Sequence, residues 1–153
     1  MVIIMWNDSK SLMLSKICVV LFMALLLASA IFAPRLVARL MYMSASAHIA
    51  GKGAFLTTIY VGAITAAALL VFLYVLLQRI SAGRVFVKKN TACLRYISWC
   101  CFFGAAVCIA SAFYYTPWIA VGISAAFMGL IVRVVKNVVA KAVSLQEEAD
   151  FTV

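Results

Sequence analysis

Acidic side chains are almost missing from this chain. Four Asp and Glu stand against thirteen Lys and Arg in 153 residues, and Glu147, Glu148 and Asp150 crowd into the last few positions. Metal-free acid–base catalysis has too few candidates on these terms, so an enzyme is not expected. His48 is the single histidine. That excludes haem held by paired histidines, and a zinc site would need ligands that the surroundings of His48 lack. No Ser-His-Asp order, H-E-x-x-H motif or phosphate-binding glycine loop occurs. No catalytic residue, metal ligand or cofactor is therefore assigned.

Charge of either sign is scarce as well, at 11% of residues, while 68% are hydrophobic and the mean hydropathy is +1.17. Soluble domains do not have this composition. So few charges leave no room for a separate soluble unit, and residues 1–153 read as one membrane domain. The net charge of +9 lies in short clusters beside apolar runs, which is an orientation signal and makes direct nucleic-acid binding unlikely as a role. Five cysteines, Cys18, Cys93, Cys100, Cys101 and Cys108, form no disulfide framework. Adjacent Cys100 and Cys101 point to different sides of a helix, so they read as small packing residues rather than a redox pair.

What the chain does have is long apolar runs. Four spans are expected at about 17–33, 54–77, 96–113 and 118–135, joined by a polar connector at 78–95 and ending in a tail at 146–153. Asn7, Asp8 and Ser9 offer capping oxygens before the first span. Lys10, Lys16 and Ala28-Ser29-Ala30 also fit a secretory signal, although apolar residues continue through Ile31-Phe32 and favour retention of the span. After Pro34, Arg35 and Arg39 lie four apart, either on an interfacial segment or on a continuation of the first helix. Ser44 to Gly53 reads as a loop. Tyr96 and Trp99 at one end of the third span, with Tyr114, Tyr115 and Trp118 at the other, read as interfacial belts about 27 Å apart at a helical rise. Thr116 can cap the fourth helix and Pro117 can start it, which makes spans three and four a tight antiparallel hairpin. Small-residue stripes, Gly62 with Ala66 and Ala63 with Ala67, Gly104 with Cys108 and Ala112, and Gly122 with Ala126 beside Ala125 with Gly129, suit close helix approach.

Threading follows from the basic residues. Ten of the thirteen flank the N-terminus, the connector and the end of the fourth span; Arg35, Arg39 and Lys52 lie on the other side. Both termini and the connector are therefore expected in the cytoplasm, and Val134, Val135, Val138, Val139, Ala142 and Leu145 carry the fourth helix past Arg133 as a cytoplasmic extension. Apart from Arg133 near the end of the fourth, no Asp, Glu, His, Lys or Arg falls inside a span, which argues against proton-coupled transport.

On the connector, Arg79, Arg84, Lys88 and Lys89 form a basic surface for anionic headgroups or a protein. Glu147, Glu148 and Asp150 are candidates to fold back onto it, with Phe151 and Val153 docking. Gly83 can turn the chain, Phe86 can anchor the loop, Asn90 can cap the third helix, and Leu94-Arg95 lies one turn inside it.

The pattern Gly83-x-x-Phe86-x-x-x-Asn90-x-x-x-Leu94-Arg95-x-Ile97-Ser98-Trp99, followed by a terminal Asp150-Phe151-Thr152-Val153, resembles a family of small bacterial four-helix membrane proteins. That family is catalogued as a domain of unknown function and is often encoded beside a small helix-turn-helix regulator. Its members place a capping Thr or Asp after the Phe and a Leu in the tail, where this chain has Val87 and Phe151. The resemblance implies an all-α four-helix bundle in a bacterial inner membrane and supplies no activity. The function expected is a non-enzymatic regulatory or scaffold component, with membrane lipids and a cytoplasmic protein such as that regulator as partners. The alternative is a transporter or channel subunit that homo-oligomerises through the small-residue faces.

Overall fold

The computed structural model describes the backbone of residues 2–43 and 47–152, and the side chains of 9–43 and 51–152. It is all-α: helices α1 (Val2–Met43), α2 (Ala47–Ser81), α3 (Lys88–Ser111) and α4 (Trp118–Phe151), with no strand among the described residues. Each helix holds a stretch long and apolar enough to cross a membrane, within Ser9–Met43, Gly51–Ser81, Lys88–Ser111 and Trp118–Phe151. The chain is a multi-pass membrane protein by these lengths and compositions.

Three helices overrun their apolar runs, because nothing in the flanking sequence stops them. α1 starts at Val2, so Asn7, Asp8 and Ser9 lie inside it and do not cap it. It also continues through Pro34 to Met43, which settles the Arg35–Met43 segment as helix. Pro34 removes one main-chain donor, yet Ala33 and Val37 beside it are fully buried against α2, and that packing holds the helix together. The expectation of a loop at Ser44–Gly53 fails from Ala47 onward. Helix is already present from Ala47, and the irregularity is one residue, Gly51, whose φ of 76° only glycine adopts freely. Residues 44–46 and the side chain of His48 lie outside the described residues. Thr116 does not cap α4. Pro117 holds the N-cap position with helical dihedrals (φ −58°, ψ −20°), and backbone bonds from Trp118 N–H to Tyr115 O (3.1 Å) and Ile119 N–H to Thr116 O (3.0 Å) close the turn instead.

The helices pack antiparallel and in chain order: α1 on α2, α2 on α3, α3 on α4. Each interface has its own chemistry. Val37 and Phe55 form the α1–α2 core, with Tyr114 and Tyr115 closing over Phe55 edge-on at 4.9 and 5.4 Å. Toward the other end α1 and α2 leave an apolar groove of about 400 Å³ between Val19, Met23, Leu27, Val71 and Tyr74. Leu76 of α2 packs into Cys93, Leu94, Ile97 and Cys101 of α3, and Phe72 stacks on Tyr96 at 5.3 Å.

Between α2 and α3 the buried Thr58 hydroxyl meets Ser111 Oγ (2.8 Å) and the Tyr114 hydroxyl, with Ala54 O and Val107 O also in reach, so the single proton of each hydroxyl is shared among these acceptors. In hydrocarbon a hydroxyl without such a partner is costly, so the cluster specifies which helices meet. Tyr114 thus serves the interior as much as any interfacial belt.

The α3–α4 interface depends on two glycines seven apart. A Cβ on Gly122 would stand 2.8 Å from Ile109 Cγ1 and 3.2 Å from Ala105 O; one on Gly129 would stand 3.1 Å from Cys101 Cβ. Ser98 Oγ donates across the same contact to Gly129 O at 3.0 Å. Gly62, by contrast, has open space where a Cβ would go. Gly122→Ala is expected to lower stability by about 1–3 kcal/mol through overpacking, whereas Gly62→Ala should be neutral or slightly stabilising. Reversible unfolding of the two variants in mixed detergent micelles measures the contrast.

Candidate functional site

The polar stretch 78–95 is largely helical, since α2 runs to Ser81 and α3 begins at Lys88. What remains is a connector of residues 82–87, and its shape is set by Gly83. With φ at 78°, Gly83 lets its N–H reach Ile80 O (3.0 Å) and the Arg84 N–H reach Arg79 O (3.1 Å), the paired bonds of a Schellman cap.

Asn90 does not cap α3. The N-cap is Val87, extended at φ −129° and without a side-chain bond, and Asn90 sits inside the first turn. Its side chain is 1% exposed, and Nδ2 donates to both Arg84 O (2.7 Å) and Val85 O (2.8 Å). Both acceptors are carbonyls, so only the amide nitrogen can face them. Asn90 therefore staples the connector onto α3. Its Oδ1 is buried without a partner among the described residues, as is Thr91 Oγ1 one position on.

The remaining predicted residues divide by position. Arg79 is turned toward α3, donating to Lys89 O (3.3 Å) and to Cys93 Sγ (3.4 Å), so it braces the turn more than it offers a free cation. Leu94 is core. Arg84 and Lys89 are exposed, and Phe86 is half exposed. Arg95 is exposed, with its guanidinium 5.9 Å from the centre of the Tyr96 ring.

At the far end of the chain the tail does not fold back. Gln146, Glu147, Glu148 and Ala149 are good helix formers with no glycine or proline among them, so α4 simply continues to Phe151. Thr152 Oγ1 then donates to Glu148 O at 2.6 Å. Because α4 runs antiparallel to α3, its last turns pass the start of α3, and Glu147 Oε1 reaches Lys88 Nζ at 2.9 Å. Glu148 and Asp150 are exposed, and Phe151, expected to dock, is 91% exposed. Val153 lies outside the described residues.

Side by side, α3 and α4 enclose a groove that a count of connector charges does not reveal. A cavity of about 290 Å³ is lined by Lys88, Thr91, Ala92 and Arg95 of α3 and by Lys136 and Ala140 of α4. A second of about 40 Å³ adjoins it, lined by Arg95, Ser98, Trp99, Arg133 and Lys136. The helical repeat explains the grouping: 88, 91, 95 and 98 share one face of α3, and 133, 136 and 140 one face of α4. Arg133 and Lys136 lie some forty residues from the connector in sequence, and only the antiparallel register brings them together with it.

Chemically this is a place for an anion. It offers four cations from two helices; no group of three His, Cys, Asp or Glu side chains suited to a metal occurs among the described residues. All five cysteines are unbridged.

Asn90→Ala removes two hydrogen bonds from a buried site and strands two carbonyls. It should destabilise the protein by about 2 kcal/mol, and Gly83→Ala by about 1 kcal/mol through its left-handed dihedral. Denaturant titration in micelles checks both, and faster proteolysis within 82–87 should accompany each loss.

Residues 18–153 match the family described as protein of unknown function (DUF2975). No curated protein and no solved structure matches the chain.

Proposed function

Since the chain belongs to the DUF2975 family of proteins of unknown function, we propose from its physical features a non-enzymatic component of a bacterial plasma membrane, with both termini in the cytoplasm, that holds a cytoplasmic protein on its basic face. A small helix-turn-helix regulator is one candidate for that partner.

The observation that carries this reading is the length of α4. Its 34 residues extend about 51 Å, whereas a hydrocarbon core takes about 30 Å. With Arg133 and Lys136 at headgroup level, the helix continues to Phe151 as a shelf standing clear of the bilayer. The shelf exposes Val138, Leu145 and Phe151, and the connector beside it exposes Arg84, Phe86 and Lys89. Apolar side chains ringed by charge on a projecting helix are what a protein partner can recognise. The excess of Lys and Arg beside the N-terminus, the connector and the end of α4 supports the cytoplasmic orientation.

A photo-crosslinking residue placed at Leu145 in native membranes should capture a discrete protein, and Arg84→Gln with Lys89→Gln should cut its recovery several-fold. Equal recovery from the variant would remove the basic connector from the reading. A reporter fused after Val153 should be active only as a cytoplasmic reporter; activity on the other side of the membrane would reverse the orientation.

A further inference from the structure

We propose that the groove between α3 and α4 binds the headgroup of an anionic phospholipid that carries two phosphates. This goes beyond the docking of a protein and does not depend on it, because the residues involved face the groove and not the shelf.

Charge makes the first part of the case. Lys88, Arg95, Arg133 and Lys136 line one groove from two helices. Of these four, only Lys88 has a carboxylate of the described residues within ion-pairing distance, Glu147, at the outer end. Arg95, Arg133 and Lys136 are left as neighbouring like charges, which repel unless an anion lies among them.

Shape makes the second. The two cavities adjoin and share Arg95 and Lys136. One anion in the larger cavity would meet Lys88, Arg95 and Lys136; a second in the smaller would meet Arg133, with Arg95 and Lys136 between the two. Arginine can hold a phosphate through two parallel N–H bonds, which suits the shared position.

Depth selects the source of the phosphates. The groove lies at the start of α3, beside residues 133–140 of α4, and its inner cavity is walled by Trp99, 61% exposed, on the apolar stretch of α3. Basic pockets between transmembrane helices at headgroup level fit lipid phosphates, with an indole ring against the glycerol and upper acyl region. A soluble anion would gain nothing from that ring. The Glu147–Lys88 pair at the mouth competes with a bound phosphate for one cation, so Glu147→Gln should tighten binding.

The test uses the purified full chain in neutral detergent, with bound lipid followed by native mass spectrometry. Diphosphatidylglycerol should be retained at least about 10-fold over phosphatidylglycerol, and Arg95→Gln with Lys136→Gln should reduce retention by roughly 30-fold, as expected for two cations near an anionic surface. Arg39→Gln with Lys52→Gln, an equal loss of charge at the other end of the helices, should leave it unchanged. Helicity by circular dichroism shows whether the variants fold; if the double variant does not, Lys136→Gln alone should still reduce retention several-fold. Equal retention of the two lipids, or an equal loss in the Arg39/Lys52 control, would overturn the proposal. Displacement of the lipid by micromolar inorganic pyrophosphate would overturn the lipid source in favour of a free anion, and displacement by an acidic peptide in favour of a protein.

Discussion

No water reaches the centre of a bilayer, and the rest of this structure depends on that. Every main-chain N–H and C=O must bond within its own helix there, so the main chain is committed before any two helices meet. What remains for deciding which helices touch is small: a few hydroxyls, two glycines and the aromatic rings. Thr57, Thr65 and Ser124 spend their hydroxyls on their own helices, at Gly53 O, Val61 O and Ala120 O. Thr58 and Ser111 do that and also meet each other, while Ser98 crosses to α4. α3 is the helix through which these cross-links pass. It touches both α2 and α4, and it holds most of the buried side chains.

The same lack of water sorts the charges. None can remain in the hydrocarbon, so they gather at the helix ends, where the register of neighbouring helices decides which of them become a group. Because α3 and α4 run antiparallel, the start of one lies beside the end of the other. Lys88 then meets Glu147, and Arg95 comes to share a groove with Lys136. The connector braces this arrangement. Gly83 turns the chain, Asn90 holds Arg84 and Val85 against α3, and Arg79 reaches across to Lys89 and Cys93.

Much of the architecture was legible from the residues alone, because hydrophobic length is a strong local signal. The four helices, the αL turn at Gly83 and the continuation of α4 beyond Arg133 all rest on such signals. Helix ends were less legible. Asn7, Asp8 and Thr116 have capping chemistry but sit where the helix or turn is already closed by main-chain bonds, and Asn90 uses its amide as a donor to the connector when an N-cap would have used its oxygen as an acceptor. The small-residue stripes pair Gly122 with Ala126 and Ala125 with Gly129; close packing falls on the two glycines, since the spacing that matters is set by the partner helix. The groove needed both helices placed in register; nothing local to Arg133 points to Arg95. The tail acids had a partner in Lys88, but a helical tail brings only Glu147 within reach and leaves Phe151 in the open.

Packing in strict chain order has a consequence for how such a chain is made. α1 is held by α2, α2 by α3 and α3 by α4, with no helix waiting for a distant partner. During synthesis each segment that enters the bilayer therefore finds its principal neighbour already there, and the loop to be closed is never longer than one hairpin. Misassembly by premature pairing of distant helices has little to gain. The exception in time is the end of α4: Glu147 can meet Lys88 only after α3 and the body of α4 have been made, so that pair forms later than the groove it borders.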